Sequence, residues 1–133
     1  MASLSETDYA SSVELADLLM ASGDKAGAAA ALERAIFMNP YERVQHERLA
    51  DLYKGLGDRA RVVRERKAIV ALAPVDRASA LYQLALAQHE AGDAAGARKS
   101  VLRALEDAPN YADAQRLLLT LYEARQSSGS RKP

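Results

Sequence analysis

Cysteine and tryptophan are absent from the 133 residues of this chain, and phenylalanine occurs once. Without cysteine there is no disulfide staple, no thiolate nucleophile and no sulfur-ligated metal. Aromatic residues make up only 5%, so platforms on which nucleobases or sugars could stack are scarce. Net charge is missing too: 18 basic and 18 acidic side chains cancel, leaving no global field to draw in nucleic acid or an anionic membrane. No apolar run approaches the length of a bilayer span, and the opening MASLSETDY has neither the basic start nor the apolar stretch of a secretory signal. What is present, 49% hydrophobic and 27% charged residues, suits one soluble compact unit, with a cytoplasmic location favoured if the chain is whole.

Proline is sparse, and its placement is informative. Pro40, Pro74 and Pro109 stand 34 and 35 residues apart, and Gly23, Gly57 and Gly92, each followed by aspartate, keep the same intervals. The phrase SGDKAGAAAALERAIFMNP near the start returns as AGDAAGARKSVLRALEDAPN near the end, with LGDRARVVRERKAIVALAP as a looser copy between them. The one extra residue falls near Val75, Asp76 and Arg77, at a turn, where an insertion disturbs little.

Between these marks the apolar pattern is helical. Val13, Ala16, Leu19 and Met20 form one stripe, and Ala28, Leu32, Ala35 and Ile36 form another. The pattern predicts helices over 7–21, 24–38, 41–56, 59–72, 76–91, 94–108 and 111–125. In each repeat glycine ends the first helix by adopting a left-handed backbone, the next aspartate caps the second, and proline stops it. A single hairpin cannot bury both of its faces, so neighbours must stack. The expected organisation is a domain over 1–126, with repeats at about 9–42, 43–77 and 78–111, a capping helix at about 111–125, and a disordered tail over 127–133. On the capping helix Leu117, Leu118, Leu121 and Tyr122 face back, and Leu119 falls off that stripe.

The spacing and the small residues resemble the tetratricopeptide repeat (TPR), W-x2-L-G-x2-Y followed by A-x3-F and P. The second repeat supplies His46, Leu49, Ala50 and Tyr53, the first Ser12, Leu15, Ala16 and Leu19, and the third Leu81, Leu84, Ala85 and Gln88. Small residues recur at Ala28 with Ala35 and at Ala97 with Ala104. The second repeat departs from the pattern with Val62, Arg66 and Ile69; Arg66 is expected to lay its stem along the two apolar neighbours and send its guanidinium to water or an acidic side chain.

The resemblance implies an all-α, right-handed superhelical α-solenoid of three helix pairs and a cap, working as a noncatalytic module that takes a partner peptide or protein in its concave groove. By repeat position the groove holds Val13, Asp17 and Met20; Val44, Arg48, Asp51 and Lys54; Tyr82, Gln83, Leu86 and His89; and Arg116 and Thr120. Tyr82, Leu86 and Met20 would be apolar anchors, and Arg48, Lys54 and Arg116 would choose the ligand's charge pattern. One TPR subfamily grips the carboxylate terminus of heat-shock chaperones with lysines, asparagines and an arginine. Here those places hold Val13, Asp17, Arg48, Ser79 and Gln83, so that clamp is missing.

No constellation for catalysis, metal or cofactor emerges. His46 and His89 lie in successive repeats without a ligand-spaced neighbour and read as surface or groove side chains. Asp24, Asp58 and Asp93 are explained as caps, and the glycines form no phosphate-cradling motif. RARVVRERK, residues 59–67, spreads its cations round more than one helix face and reads as a solvated surface. Phe37 is expected to pack on the loop beside Pro40 and Tyr41. Two alternatives accompany the interaction-module reading: a structural or self-association accessory domain of a larger protein, the alanine-rich, short-turn style suiting a bacterial origin, and RNA binding through the basic second repeat, with nucleic acid disfavoured overall.

Overall fold

A computed structural model describes the backbone of residues 4–72 and 74–130 and the side chains of 8–72 and 74–127. Among the described residues all regular structure is helical: α1 (Leu4–Ala21), α2 (Lys25–Met38), α3 (Arg43–Leu56), α4 (Arg59–Ala71), α5 (Arg77–Glu90), α6 (Ala94–Asp107) and α7 (Ala112–Ser130). The chain forms two compact units, one of α1 to α4 and one of α5 to α7, divided after Leu72. The division falls just before the turn that carries the extra residue. α7 runs past the expected end at Arg125 and takes in the first residues of the segment expected as a tail; residues 131–133 lie outside the described ones.

One turn, used three times, makes the hairpins. Gly23, Gly57 and Gly92 sit at φ of 85°, 78° and 85°, the left-handed region that a Cβ disfavours. The amide of the following aspartate reaches back five residues to donate to a carbonyl of the helix it closes, Asp24 to Leu19 at 2.8 Å, Asp58 to Tyr53 at 2.9 Å and Asp93 to Gln88 at 2.8 Å. The carboxylates of the same three residues accept the amides of Gly27, Arg61 and Gly96 at 2.8, 3.2 and 2.9 Å. A single aspartate thus ends one helix through its backbone and starts the next through its side chain. Asp76 was expected inside α5 but stands before it as a fourth cap, accepting from the Ser79 amide at 3.0 Å.

Alanine sets how closely the helices approach. In the first unit Ala16, Ala28, Ala35 and Ala50 are fully buried with Leu32 and Leu49; in the second, Ala85, Ala97 and Ala104 are buried with Leu81, Val101 and Leu121. The small residues at Ala28 with Ala35 and Ala97 with Ala104 lie in these cores, as expected. On α7, Ala114, Leu117 and Leu121 are buried and Leu118 is half-buried, whereas Tyr122, expected to face back, is exposed. Leu119 is exposed, off the stripe as expected.

Candidate functional site

The first helix of each hairpin turns one face to its partner helix and keeps another free of it. In the first unit that second face carries Val13 and Met20, both half-buried, with exposed Asp17 on α1, and exposed Val44, Asp51 and Lys54 with half-buried Arg48 on α3. Arg48 Nη2 donates to Asp17 Oδ1 across the two helices, and its Nη1 donates to Gln45 Oε1 at 3.0 Å. Asp51 stands 3.6 Å from the Arg66 guanidinium, the acidic neighbour expected for that arginine. Lys54 has no partner among the described residues. Arg48 is therefore already engaged, and a ligand carboxylate would have to displace Asp17 to reach it.

In the second unit the same face carries Tyr82, Gln83, Leu86 and His89, all half-buried, on α5, with exposed Arg116 and Thr120 on α7. Tyr82 packs edge-to-face on Tyr111, centroids 5.3 Å apart and planes at 76°. Burial, followed by the nearby Asp113 charge, pushes the Tyr82 phenol above its ordinary value. Arg116 pairs with Asp113 one turn earlier, and Thr120 Oγ1 donates to the Arg116 carbonyl at 3.0 Å. This face is apolar and aromatic with a polar rim.

His46 is a correction. It is not a surface or groove side chain: it is 5% exposed between α3 and α4, because its ring has partners on both sides. Nδ1 lies 2.8 Å from Oε1 of Glu65, itself 4% exposed, and Nε2 lies 2.7 Å from the Pro40 carbonyl. Both ring nitrogens therefore lie within hydrogen-bond distance of an oxygen atom. Arg64 Nε donates to Glu65 Oε2 at 2.7 Å, its Nη2 donates to Glu33, and the Tyr53 hydroxyl donates to Glu33 Oε1 at 2.7 Å. The Arg61 and Arg64 guanidinia lie 5.5 and 5.7 Å from the centre of the Tyr53 ring. Burial would lower the Arg64 pKa, but hydrogen bonds to Glu65 and Glu33 outweigh it and hold the group above its ordinary value. Burial, then the bond to Glu33, raises the Tyr53 phenol.

Three of the five cations of RARVVRERK are paired, and Arg59 and Lys67 are exposed with no side-chain partner among the described residues. Arg61 pairs with Asp58 at 2.7 Å, Arg64 with Glu33 and Glu65, and Arg66 with Asp51. Counting charges in that window missed carboxylates supplied by other helices. The usable signal was the repeat register, which puts Glu65 at the place held by Ala31 and Ser100, both buried. Phe37 is a second correction: it is 89% exposed, and Tyr41, its expected loop neighbour, is exposed as well. Phe37 lies instead at the rim of a cleft of ≈ 540 Å³ between α1 and α2, also lined by Ser12, Arg34 and Met38. No group of three potential metal-binding side chains occurs among the described residues, and none of their helices is long and apolar enough to cross a membrane.

No family model matches the chain, and no curated protein matches it. Solved structures do. The first TPR of Spaghetti (RPAP3), bound to the HSP90 peptide SRMEEVD, is 21% identical with a TM-score of 0.67, over 90% of this chain and 94% of that one. The N-terminal domain of stress-induced protein-1 from C. elegans is 15% identical with a TM-score of 0.71, over 91% and 99%. MamA is 23% identical with a TM-score of 0.73, over 89% of this chain and 64% of MamA. The fold is that of TPR domains, as the repeat spacing implied.

Proposed function

We propose that the chain is a protein-interaction module whose first-helix faces, α1 with α3 and α5 with α7, hold a partner peptide or a partner protein's surface segment. The observation that carries this reading is the division of labour along each first helix. Positions such as Ala16, Ala50 and Ala85 are fully buried in the hairpins, while Val13, Met20, Val44, Tyr82 and Leu86 stay partly open on another side. The Spaghetti domain, of the same fold, is bound to a peptide, which supports the use of such a fold for peptide capture.

The ligand is not an acidic terminus. That peptide ends in EEVD, whereas here Asp17 already engages Arg48 and Asp113 engages Arg116. Selection of charge therefore falls to Lys54 in the first unit, and the second unit recognises apolar side chains through Tyr82 and Leu86. The pairing of Arg61, Arg64 and Arg66 weighs against the RNA alternative, because it leaves only Arg59 and Lys67 of that segment free to neutralise phosphates. Capture from the native lysate should drop at least about ten-fold, a loss of roughly 1.4 kcal/mol, with Tyr82→Ala and Leu86→Ala, and stay unchanged with Leu102→Ala on α6. Equal capture by all three variants would overturn the reading.

A further inference from the structure

α7 repeats the sequence register of α1, α3 and α5 but lacks a second helix to cover it among the described residues. On the three earlier helices one face looks toward the hairpin partner: His46 and Gln88, on that face, bond to Glu65 and Ser100 of α4 and α6. Its central position is Ala16, Ala50 and Ala85, at 0%, 1% and 0% exposure. The equivalent residue of α7 is Leu119, 59% exposed, flanked by Tyr122 at 53% and exposed Gln115. A leucine in place of alanine forbids the close approach a hairpin partner makes, yet it offers an apolar knob to a helix crossing at the wider spacing of about 8–10 Å.

The charges beside this knob say which helix fits. Arg116 stands one turn before Leu119 and Glu123 one turn after, on the same exposed side. Glu123 has no partner among the described residues, and Arg116 is largely exposed, tied only to Asp113. When two copies of this helix cross antiparallel at Leu119, Arg116 of each comes opposite Glu123 of the other, giving two symmetric ion pairs around a Leu119 and Tyr122 centre. Two parallel copies in the same register would instead set Arg116 against Arg116. The stripe is complementary to itself in one orientation, the antiparallel one that hairpin helices already use.

We infer that a second copy of this chain covers α7, forming a two-fold antiparallel pair centred on Leu119. The pairing shares Arg116 with the ligand face proposed for the second unit, whose apolar anchors Tyr82 and Leu86 lie on α5, so Tyr82→Ala should weaken ligand capture and leave the self-association unchanged.

Sedimentation equilibrium of the full chain across concentration tests it. The wild type should show a monomer–dimer equilibrium, and Leu119→Asp, at an exposed site that leaves the helical circular dichroism unchanged, should raise the dissociation constant at least about ten-fold. Arg116→Glu and Glu123→Arg should each weaken the dimer about five-fold, and the double variant should return it to within about two-fold of wild type. A wild type that stays monomeric at millimolar concentration overturns the inference. So does a dimer indifferent to Leu119→Asp, or one that the double charge swap fails to restore.

Discussion

Removing the Glu65 carboxylate should destabilise the first unit more than any surface change, and the size follows from its surroundings. Glu65 and His46 are 4% and 5% exposed and 2.8 Å apart, so water does little to soften the loss of one partner. Taking one member from such a buried pair leaves the other desolvated and unmatched, at a cost of about 3–5 kcal/mol. Glu65→Ala falls toward the lower end, about 3 kcal/mol, because His46 keeps its bond to the Pro40 carbonyl. Against a typical total of about 5–15 kcal/mol for a domain, that is a large fraction. His46→Leu should do comparable damage by stranding Glu65 beside Arg64 alone. The double variant His46→Leu/Glu65→Ala should recover most of the loss, to within about 1.5 kcal/mol of wild type, because it is apolar against small and the third repeat fills the same two places with Leu81 and Ser100. Urea unfolding followed by circular dichroism gives the three values, and amide exchange locates the loss in α3 and α4. Single losses below about 1 kcal/mol, or losses that simply add in the double variant, would refute the reasoning.

Other consequences are smaller and independent. Tyr53→Phe deletes the hydrogen bond to Glu33 and should cost about 1 kcal/mol in thermal or chemical melts. Because the folded Tyr53 pKa is raised above its ordinary 10.0, its contribution is complete below that value and is lost as pH rises through the folded pKa, so Tyr53→Phe should also flatten the alkaline fall in stability. Asp93→Ala removes the cap accepting from Gly96 and should cost about 0.5–2 kcal/mol, with faster amide exchange in the first turn of α6. Ala50→Leu forces a larger side chain into a fully buried place and should lower stability by about 1–3 kcal/mol.

The helices were legible because their boundaries are local. The Gly-Asp turn, the proline and the alanine spacing each act within a few residues, so α2 begins one residue after the position expected and α4 begins at it. Asp76, expected as the first residue of α5, stands just before it as the cap, the same one-residue offset that Asp24 shows at α2. What was hidden depends on contacts far apart in sequence. The pairs Asp17 with Arg48 and Glu33 with Arg64 are each 31 residues apart, joining successive first helices and successive second helices. A nine-residue window around Arg59–Lys67 contains the cations and only one of their carboxylates, so it reads as solvated surface. Glu65 is the buried exception in that window, and the repeat register sets it level with the buried small residues Ala31 and Ser100. Phe37 stayed exposed because the loop expected to shelter it is organised otherwise: Pro40 gives its carbonyl to His46, and the Tyr41 amide donates to Asn39 Oδ1 at 3.2 Å. The first-helix faces were legible as positions, but the engagement of Arg48 and Arg116 by aspartates needed the three-dimensional arrangement.

The central claim is that partner contact belongs to the first helices. A photo-crosslinking scan in the native lysate tests it directly, with the reactive residue placed in turn at positions 20, 44, 82 and 86 and at the exposed α2 and α6 positions 30, 99 and 102. The account predicts one recurrent crosslinked partner from the first group and none from the second. The same partner captured from positions 30, 99 and 102, with positions 20, 44, 82 and 86 silent, would contradict it.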